Sequence, residues 1–86
     1  MEVYYSSRFQ KQYRLLPQKI RNQFKKRLTL FFKDQIDPQL HMHKLRGRYG
    51  GLYSINITGD MRAVFDSSYK NSILFVAIGT HNSLYS

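Results

Sequence analysis

At 86 residues the chain has room for one domain and no second, and so short a chain buries a modest share of its surface, which leaves a thin stability margin. With no cysteine it can build neither a disulfide framework nor a thiolate metal site, and a hydrophobic content of 42% argues against global disorder. Lys and Arg number 14 against 5 Asp and Glu, a formal charge of +9, which favours polyanionic partners. An acidic protein partner, or a basic surface kept only for solubility, are the competing readings of that charge. A membrane-surface role fits less well, because the basic residues are spread over the chain and not gathered on one terminal helix. No apolar run approaches the roughly 20 residues that span a bilayer. The start, Met1 to Tyr5, lacks the charged lead and long apolar stretch of a secretory signal. These features together predict a cytoplasmic protein.

Taken in chain order, Met1 to Tyr5 reads as a short first strand. Ser6 or Ser7 is placed to cap a helix that begins near Arg8, with Phe9, Tyr13 and Leu16 as its buried stripe. Pro17 ends that helix and opens the next, since proline is tolerated in a first turn. The second helix is expected from about Pro17 to Lys33. Ile20, Phe24, Leu28, Phe31 and Phe32 share one side, while Arg21, Lys25, Lys26 and Lys33 are solvated. The two helices make a hairpin. Between Val3 and Lys33 the chain carries nine basic residues and no acidic one, either a solvated helical face or a surface for a polyanion. Asp37-Pro38 breaks the pattern. Gln39 to Gly51 reads as a basic, aromatic loop with a short extended piece.

The last third is strand-like. Tyr53, Ile55 and Ile57 alternate with Leu52, Ser54 and Asn56, and Met61, Ala63 and Phe65 alternate with Arg62, Val64 and Asp66. An odd loop centred on Gly59 pairs Ile57 with Met61 and Asn56 with Arg62, whereas an even loop would mix the faces. The apolar face of this hairpin is expected to pack on the helices, leaving Ser54, Asn56 and Arg62 on the other side. Ser67 to Asn71 form a second turn. Ile73 to Ile78, an unbroken apolar run, marks a strand covered on both faces. It is expected to stop at Gly79, with the tail Thr80 to Ser86 leaving the sheet edge. The order β-α-α-β-β-β defines an α+β domain, two N-terminal helices packed on one face of a largely antiparallel sheet.

Gly47, Gly50 and Gly51 lack the spacing and context of a phosphate-binding loop, and no serine sits in a nucleophile elbow. His41, His43 and His81 lack the carboxylates that would complete a metal site, so none is expected. His81 is the most suggestive residue: it follows a buried strand and a glycine, and imidazole can give or take a proton near neutral pH. Asn56 and Arg62 on the exposed sheet face, and His43, Lys44, Arg46 and Arg48 in the loop, supply hydrogen-bonding and cationic groups. Tyr85 offers a ring on which an unpaired base can stack. A proton donor, fixed cations and an aromatic platform are what RNA scission by the substrate's own 2′-hydroxyl requires, and such a reaction calls for no cofactor. Tyr49 and Tyr53 read as packing residues, Tyr85 alternatively as an anchor of the tail, and His41 as an exposed loop residue.

Three segments carry a family resemblance: His43-Lys44-Leu45-Arg46-Gly47, the stretch Leu52 to Phe65 with Ile57-Thr58-Gly59-Asp60, and the ending Ile78-Gly79-Thr80-His81-Asn82-Ser83-Leu84-Tyr85. The chain resembles, over its whole length in element order, the YafQ branch of the RelE/ParE toxin superfamily. The resemblance implies a RelE-like fold and a toxin of a type II toxin–antitoxin pair, one that cleaves mRNA in the ribosomal A site, contacts ribosomal RNA and is neutralised by a cognate antitoxin. Carried over residue by residue, it implies His81 as catalytic acid, His43 as the histidine opening the His-x-Leu-x-Gly segment and Asp60 as the acidic residue of the turn. It makes Arg62 a phosphate-contacting arginine and Tyr85 the terminal aromatic. Asn56 stands where some YafQ-like toxins carry another histidine, and an amide exchanges no proton at neutral pH. That leaves His43 as candidate general base with Asp60 as the alternative, and Asp60 also fits a plain turn role.

Two other functions stay open on the sequence. A ParE-like toxin that poisons DNA gyrase shares the fold, which therefore cannot decide, but has no need of His81 and its aromatic tail. A catalytically inactive relative that only binds its antitoxin is the third reading, which the Asn56 departure keeps in play. Under any of them a +9 chain calls for an acidic antitoxin segment that folds on binding.

Overall fold

Ser6 organises the first turn of the chain. In a computed structural model, which describes residues 1–85, the first strand β1 (Glu2–Tyr5) ends one residue before it and the first helix α1 (Ser7–Arg14) begins one residue after it. The Ser6 side chain accepts the Phe9 backbone N–H at 3.0 Å, satisfying a donor that the first turn of a helix leaves unpaired. Its hydroxyl also donates to the carbonyl of Val76, 3.0 Å away. Pro17 then separates α1 from α2 (Gln18–Lys33), with the Pro17 carbonyl accepting from Ile20 and Arg21.

The sheet has five strands in the order β1-β5-β4-β3-β2. β2 (His43–Lys44), β3 (Tyr53–Asn56), β4 (Met61–Asp66) and β5 (Ser72–Thr80) are antiparallel, and β1 joins β5 in parallel. The β3–β4 hairpin has the expected odd register, Asn56 opposite Arg62 and Ile55 opposite Ala63, with the Ile57 N–H donating to the Met61 carbonyl at 2.8 Å. The α+β architecture with both N-terminal helices on one sheet face is as expected. The short extended piece of the loop is β2, an added strand on the far edge from β1, between 3-10 turns at Pro38–Leu40 and Gly47–Tyr49.

The tail differs from expectation. β5 does not stop at Gly79 but runs to Thr80, and residues His81–Tyr85 form a third helix, α3. The Thr80 hydroxyl accepts the Ser83 N–H at 3.1 Å, and the Ser83 hydroxyl returns a bond to the Thr80 carbonyl at 3.0 Å. A capping threonine at the strand end converts strand into helix within one residue. Ser86 lies outside the described residues.

Two apolar clusters flank the sheet. On the helix side Phe9, Phe24, Phe31, Ile55, Phe65 and Phe75 belong to the main core, and the Phe75 ring lies within 6.0 Å of those of Tyr5, Phe9, Phe24 and Phe65. Phe32 does not join that stripe: it is 48% exposed, because the following position on the helix turns away from Phe31. On the opposite side Leu45, Tyr49, Val64, Ala77 and Leu84 form a smaller cluster roofed by α3. Ser54, expected on an open face, is fully buried there. β5 therefore is covered on both faces. No helix among the described residues is long and apolar enough to cross a membrane.

Ser6→Ala should cost about 1–2 kcal/mol by removing the α1 cap and leaving the Val76 carbonyl without its donor. Urea denaturation of the two proteins reads this directly, and an unchanged midpoint would show that Ser6 does not couple α1 to β5.

Candidate active site

The sheet face away from α1 and α2 carries the polar residues in two cross-strand rungs. One runs from His43 through Ser54 and Val64 to Ala77, and the next from Asn56 through Arg62 to Gly79. Because side chains alternate along a strand, Lys44, opposite Tyr53, points to the other side. Gly79 provides the floor for α3. A Cβ there would lie 2.7 Å from the Ser83 hydroxyl and 3.4 Å from Leu84 Cδ2, so with the helix this close any larger residue would displace the Ser83 hydroxyl.

These residues enclose an open cleft of about 640 Å³, lined by His43, Arg46, Asn56, Arg62, His81 and Tyr85 together with His41, Met42 and Leu45. His81, the first residue of α3, is exposed, and its backbone N–H donates to the Asp60 carbonyl at 3.1 Å. That bond ties α3 to the tip of the β3–β4 hairpin. The His81 ring meets the Tyr85 ring edge-on at 4.7 Å, as residues four apart on a helix do. Tyr85 in turn packs edge-on against Tyr49 at 5.8 Å. Its ring walls the cleft while its hydroxyl is buried without a partner, as is that of Tyr49. Tyr85 thus anchors the tail as well as facing the cleft.

His43 is held at both ring nitrogens. Nδ1 lies 2.9 Å from the His41 carbonyl, and Nε2 lies 3.4 Å from the Ser54 hydroxyl. A carbonyl can only accept, so Nδ1 carries the proton and the Nε2 lone pair faces Ser54 in the neutral ring. His41 adopts a left-handed backbone with φ 45°, which turns its carbonyl toward His43. On the sequence His41 reads as a bystander; its part here is played by its backbone, for which residue type gives no signal.

Arg62 donates through Nη1 to the carbonyls of Thr58, Gly59 and Met61 at 3.2–3.3 Å, leaving Nε and Nη2 for a ligand. Its partners are all backbone carbonyls of the β3–β4 turn and the first residue of β4. The Thr58 hydroxyl, in turn, accepts from the Asp60 and Met61 N–H groups. The guanidinium therefore braces the same hairpin tip that holds His81. Three residues expected at the site do not line the cleft. Lys44 points to the opposite sheet face, Arg48 lies over the Tyr49 ring, and the exposed Asp60 contributes its backbone carbonyl. The three histidines share the cleft, yet among the described residues no group of three His, Asp or Glu side chains is placed to hold a metal ion.

Two N-terminal helices on one face of a five-stranded sheet, with α3 on the other, is an architecture that recurs in solved structures of small bacterial toxins. Its fold matches YafQ from Escherichia coli BL21(DE3), at TM-score 0.83 and 20% identity over 99% of this chain and 98% of that one. It matches YafQ in an E. coli DinJ–YafQ complex at 0.78 and 23%, over 99% and 98%, and a YoeB/ParE toxin from Agrobacterium tumefaciens at 0.78 and 14%, over 94% and 99%. At these identities the likeness is one of fold. Among curated protein sequences none matches significantly. The YafQ family model, described as a bacterial toxin of type II toxin–antitoxin systems, matches residues 1–86, and the chain belongs to that family.

Gly79→Ala should lower stability by about 1–3 kcal/mol, the usual cost of overpacking, by pushing the Ser83 hydroxyl off the Thr80 carbonyl. Adding Ser83→Ala should restore part of the loss. Urea melts of the single and double variants test this, and a Gly79→Ala protein as stable as wild type would mean that α3 can shift freely.

Proposed function

We propose that this protein is a ribosome-dependent endoribonuclease that cleaves mRNA without a metal, with His81 as general acid. The observation that carries the reading is the convergence of His81, His43, Arg46, Asn56 and Arg62 on one open cleft, from separate stretches of chain. In the reaction the 2′-oxygen of the substrate attacks the adjacent phosphorus in line. A base takes the 2′-hydroxyl proton, and His81 protonates the departing 5′-oxygen. The products are a 2′,3′-cyclic phosphate and a 5′-hydroxyl. Arg62 and Arg46 stabilise the charge that builds on the non-bridging oxygens, and Asn56 hydrogen-bonds the phosphate. His43 is the base we favour. Its Nδ1 proton is committed to the His41 carbonyl, so Nε2 is the nitrogen with a lone pair to use, once it turns from Ser54 to substrate. Asp60 fits that role less well, since its side chain lies outside the cleft lining. Tyr85 offers its ring edge to a base of the bound strand.

The charge of +9 supports two partners. Ribosomal and messenger RNA would be held by a basic surface whose affinity falls steeply with salt. An acidic antitoxin would neutralise the same surface; the E. coli relative is known in complex with DinJ and the Staphylococcus aureus relative YoeB in complex with YefM. The whole of 1–86 acts as one toxin domain in this reading, working in the cytoplasm.

His81→Ala should reduce cleavage by about 10²–10⁴-fold, the usual contribution of a positioned acid. Mapping mRNA 5′ ends in translating cells should show cuts within codons for the wild type and none for the variant. Growth arrest by the wild type without new 5′ ends would sink the nuclease reading and favour a gyrase-poisoning toxin.

A further inference from the structure

Two guanidinium groups share one aromatic ring outside the cleft. Arg8, in the first turn of α1, has its Cζ 5.9 Å from the centroid of Tyr49, and Arg48, beside Tyr49 in the chain, has its Cζ at 5.7 Å. Tyr49 is buried while both arginines are exposed. The fold brings these two arginines together from distant parts of the chain. Two like charges this near one ring repel, and at exposed sites the attraction of the ring for each is small. Among the described residues no carboxylate pairs with either arginine. Such a pair is at its most favourable when anionic groups lie against both guanidiniums. A guanidinium lying over a ring keeps its N–H edge directed outward, the geometry that grips phosphate oxygens two at a time.

The location decides which anion. The Tyr49 ring touches Tyr85, and Tyr85 touches His81, with centroids 5.8 Å and 4.7 Å apart. The arginine pair therefore stands at the Tyr49 end of an aromatic row that starts at the proposed catalytic acid; Tyr49 and Tyr85 belong to the cluster on the cleft side of the sheet, and Arg8 reaches that row from α1. A strand seated in the cleft carries a phosphate at every nucleotide and would run along this row as it leaves. We infer that Arg8 and Arg48 form a second phosphate subsite, which holds single-stranded RNA a few nucleotides from the bond cleaved at His81. This rests on the nuclease reading above and adds to it a length requirement: a short RNA fills the cleft alone, a longer one also reaches the pair. A carboxylate-rich polypeptide offers the same forked contact but has no reason to follow the row from the cleft.

The test uses fully 2′-O-methylated RNA, which cannot be cleaved, as a trinucleotide and as a decanucleotide. Affinities are measured over a range of salt for wild type, Arg8→Gln/Arg48→Gln and the cleft variant Arg46→Gln, with thermal melts to confirm that each is folded. The double variant should bind the decanucleotide about tenfold or more weakly, as removal of charge-assisted bonds implies, and its salt slope should fall by about 0.7 for each phosphate no longer neutralised. Its trinucleotide affinity should be that of wild type. Equal decanucleotide affinity and slope in wild type and double variant would overturn the subsite, as would a wild type that binds no decanucleotide. A poly-glutamate peptide whose binding depends on the arginines, when the decanucleotide's does not, would assign the pair to an acidic protein instead and likewise overturn it. If Arg46→Gln leaves both RNAs unaffected while the double variant still binds the decanucleotide weakly, the cleft reading fails: the arginines then bind RNA phosphates, but their placement beyond a cleavage site at His81 is overturned.

Discussion

Val76 is the residue that β5 has in excess over β4. Val64 pairs with Ala77 and Phe65 with Phe75, so Val76 is left unpaired and the strand shifts its alternation at that point. Before the shift Ile73 and Phe75 enter the helix-side core; after it Ile78 does, while Ala77 and Gly79 face the cleft side. Without the extra residue, Ala77 and Gly79 would lie under the helices, and α3 would have no small residues to settle on. The carbonyl that a bulge tends to orphan is satisfied by the Ser6 hydroxyl, and the Ile78 N–H beyond the end of β1 donates to Gln12 Oε1 on α1 at 2.8 Å. The first helix thus fixes from behind the geometry on which the front depends.

From that constraint the cleft follows in short steps. Gly79 beneath α3 lets the helix approach, the Thr80 cap starts it, and its first residue is His81. The His81 N–H reaches the Asp60 carbonyl, and Arg62 gathers the neighbouring carbonyls of the same loop. The proton donor and the cation proposed to act on one phosphate are therefore braced against a single hairpin tip. That is the kind of mutual support that holds reacting groups in place at the edge of solvent. The same supports explain why the hairpin register matters: a slip of one residue would send Asn56 and Arg62 to the helix side.

A serine cap at Ser6 or Ser7, Pro17 between the helices, the odd β3–β4 loop and the face of Asn56 and Arg62 are legible in the sequence because local chemistry and alternation suffice to define them. Strand pairing at a distance is not. Lys44 belongs to a basic loop, which on the sequence alone groups it with the site, but once His43 pairs with Ser54 the neighbouring side chain must face the other way. Helical spacing places Phe32 in the core, yet it is exposed at the margin of that stripe. The tail is polar and short, with no stripe to announce a helix; α3 exists because Leu84 finds the pocket over Val64 and Ala77. Asp60 matters through its carbonyl, which every residue possesses.

The sequence by itself determined the fold class, the strongly basic charge, the helix hairpin and the family resemblance later matched over residues 1–86, since all of these rest on composition, periodicity and contiguous motifs. Only the tertiary structure decided which of the polar residues face one another. It brought His43 and Arg46 from the loop, Asn56 and Arg62 from the hairpin and His81 from the tail into one cleft, and it left Lys44, Arg48 and Asp60 outside. It also set Arg8 beside Arg48 over Tyr49. The physical reason is that strand pairing and a one-residue bulge fix side-chain direction across residues far apart in the chain, and neither leaves a local mark in the residues it directs.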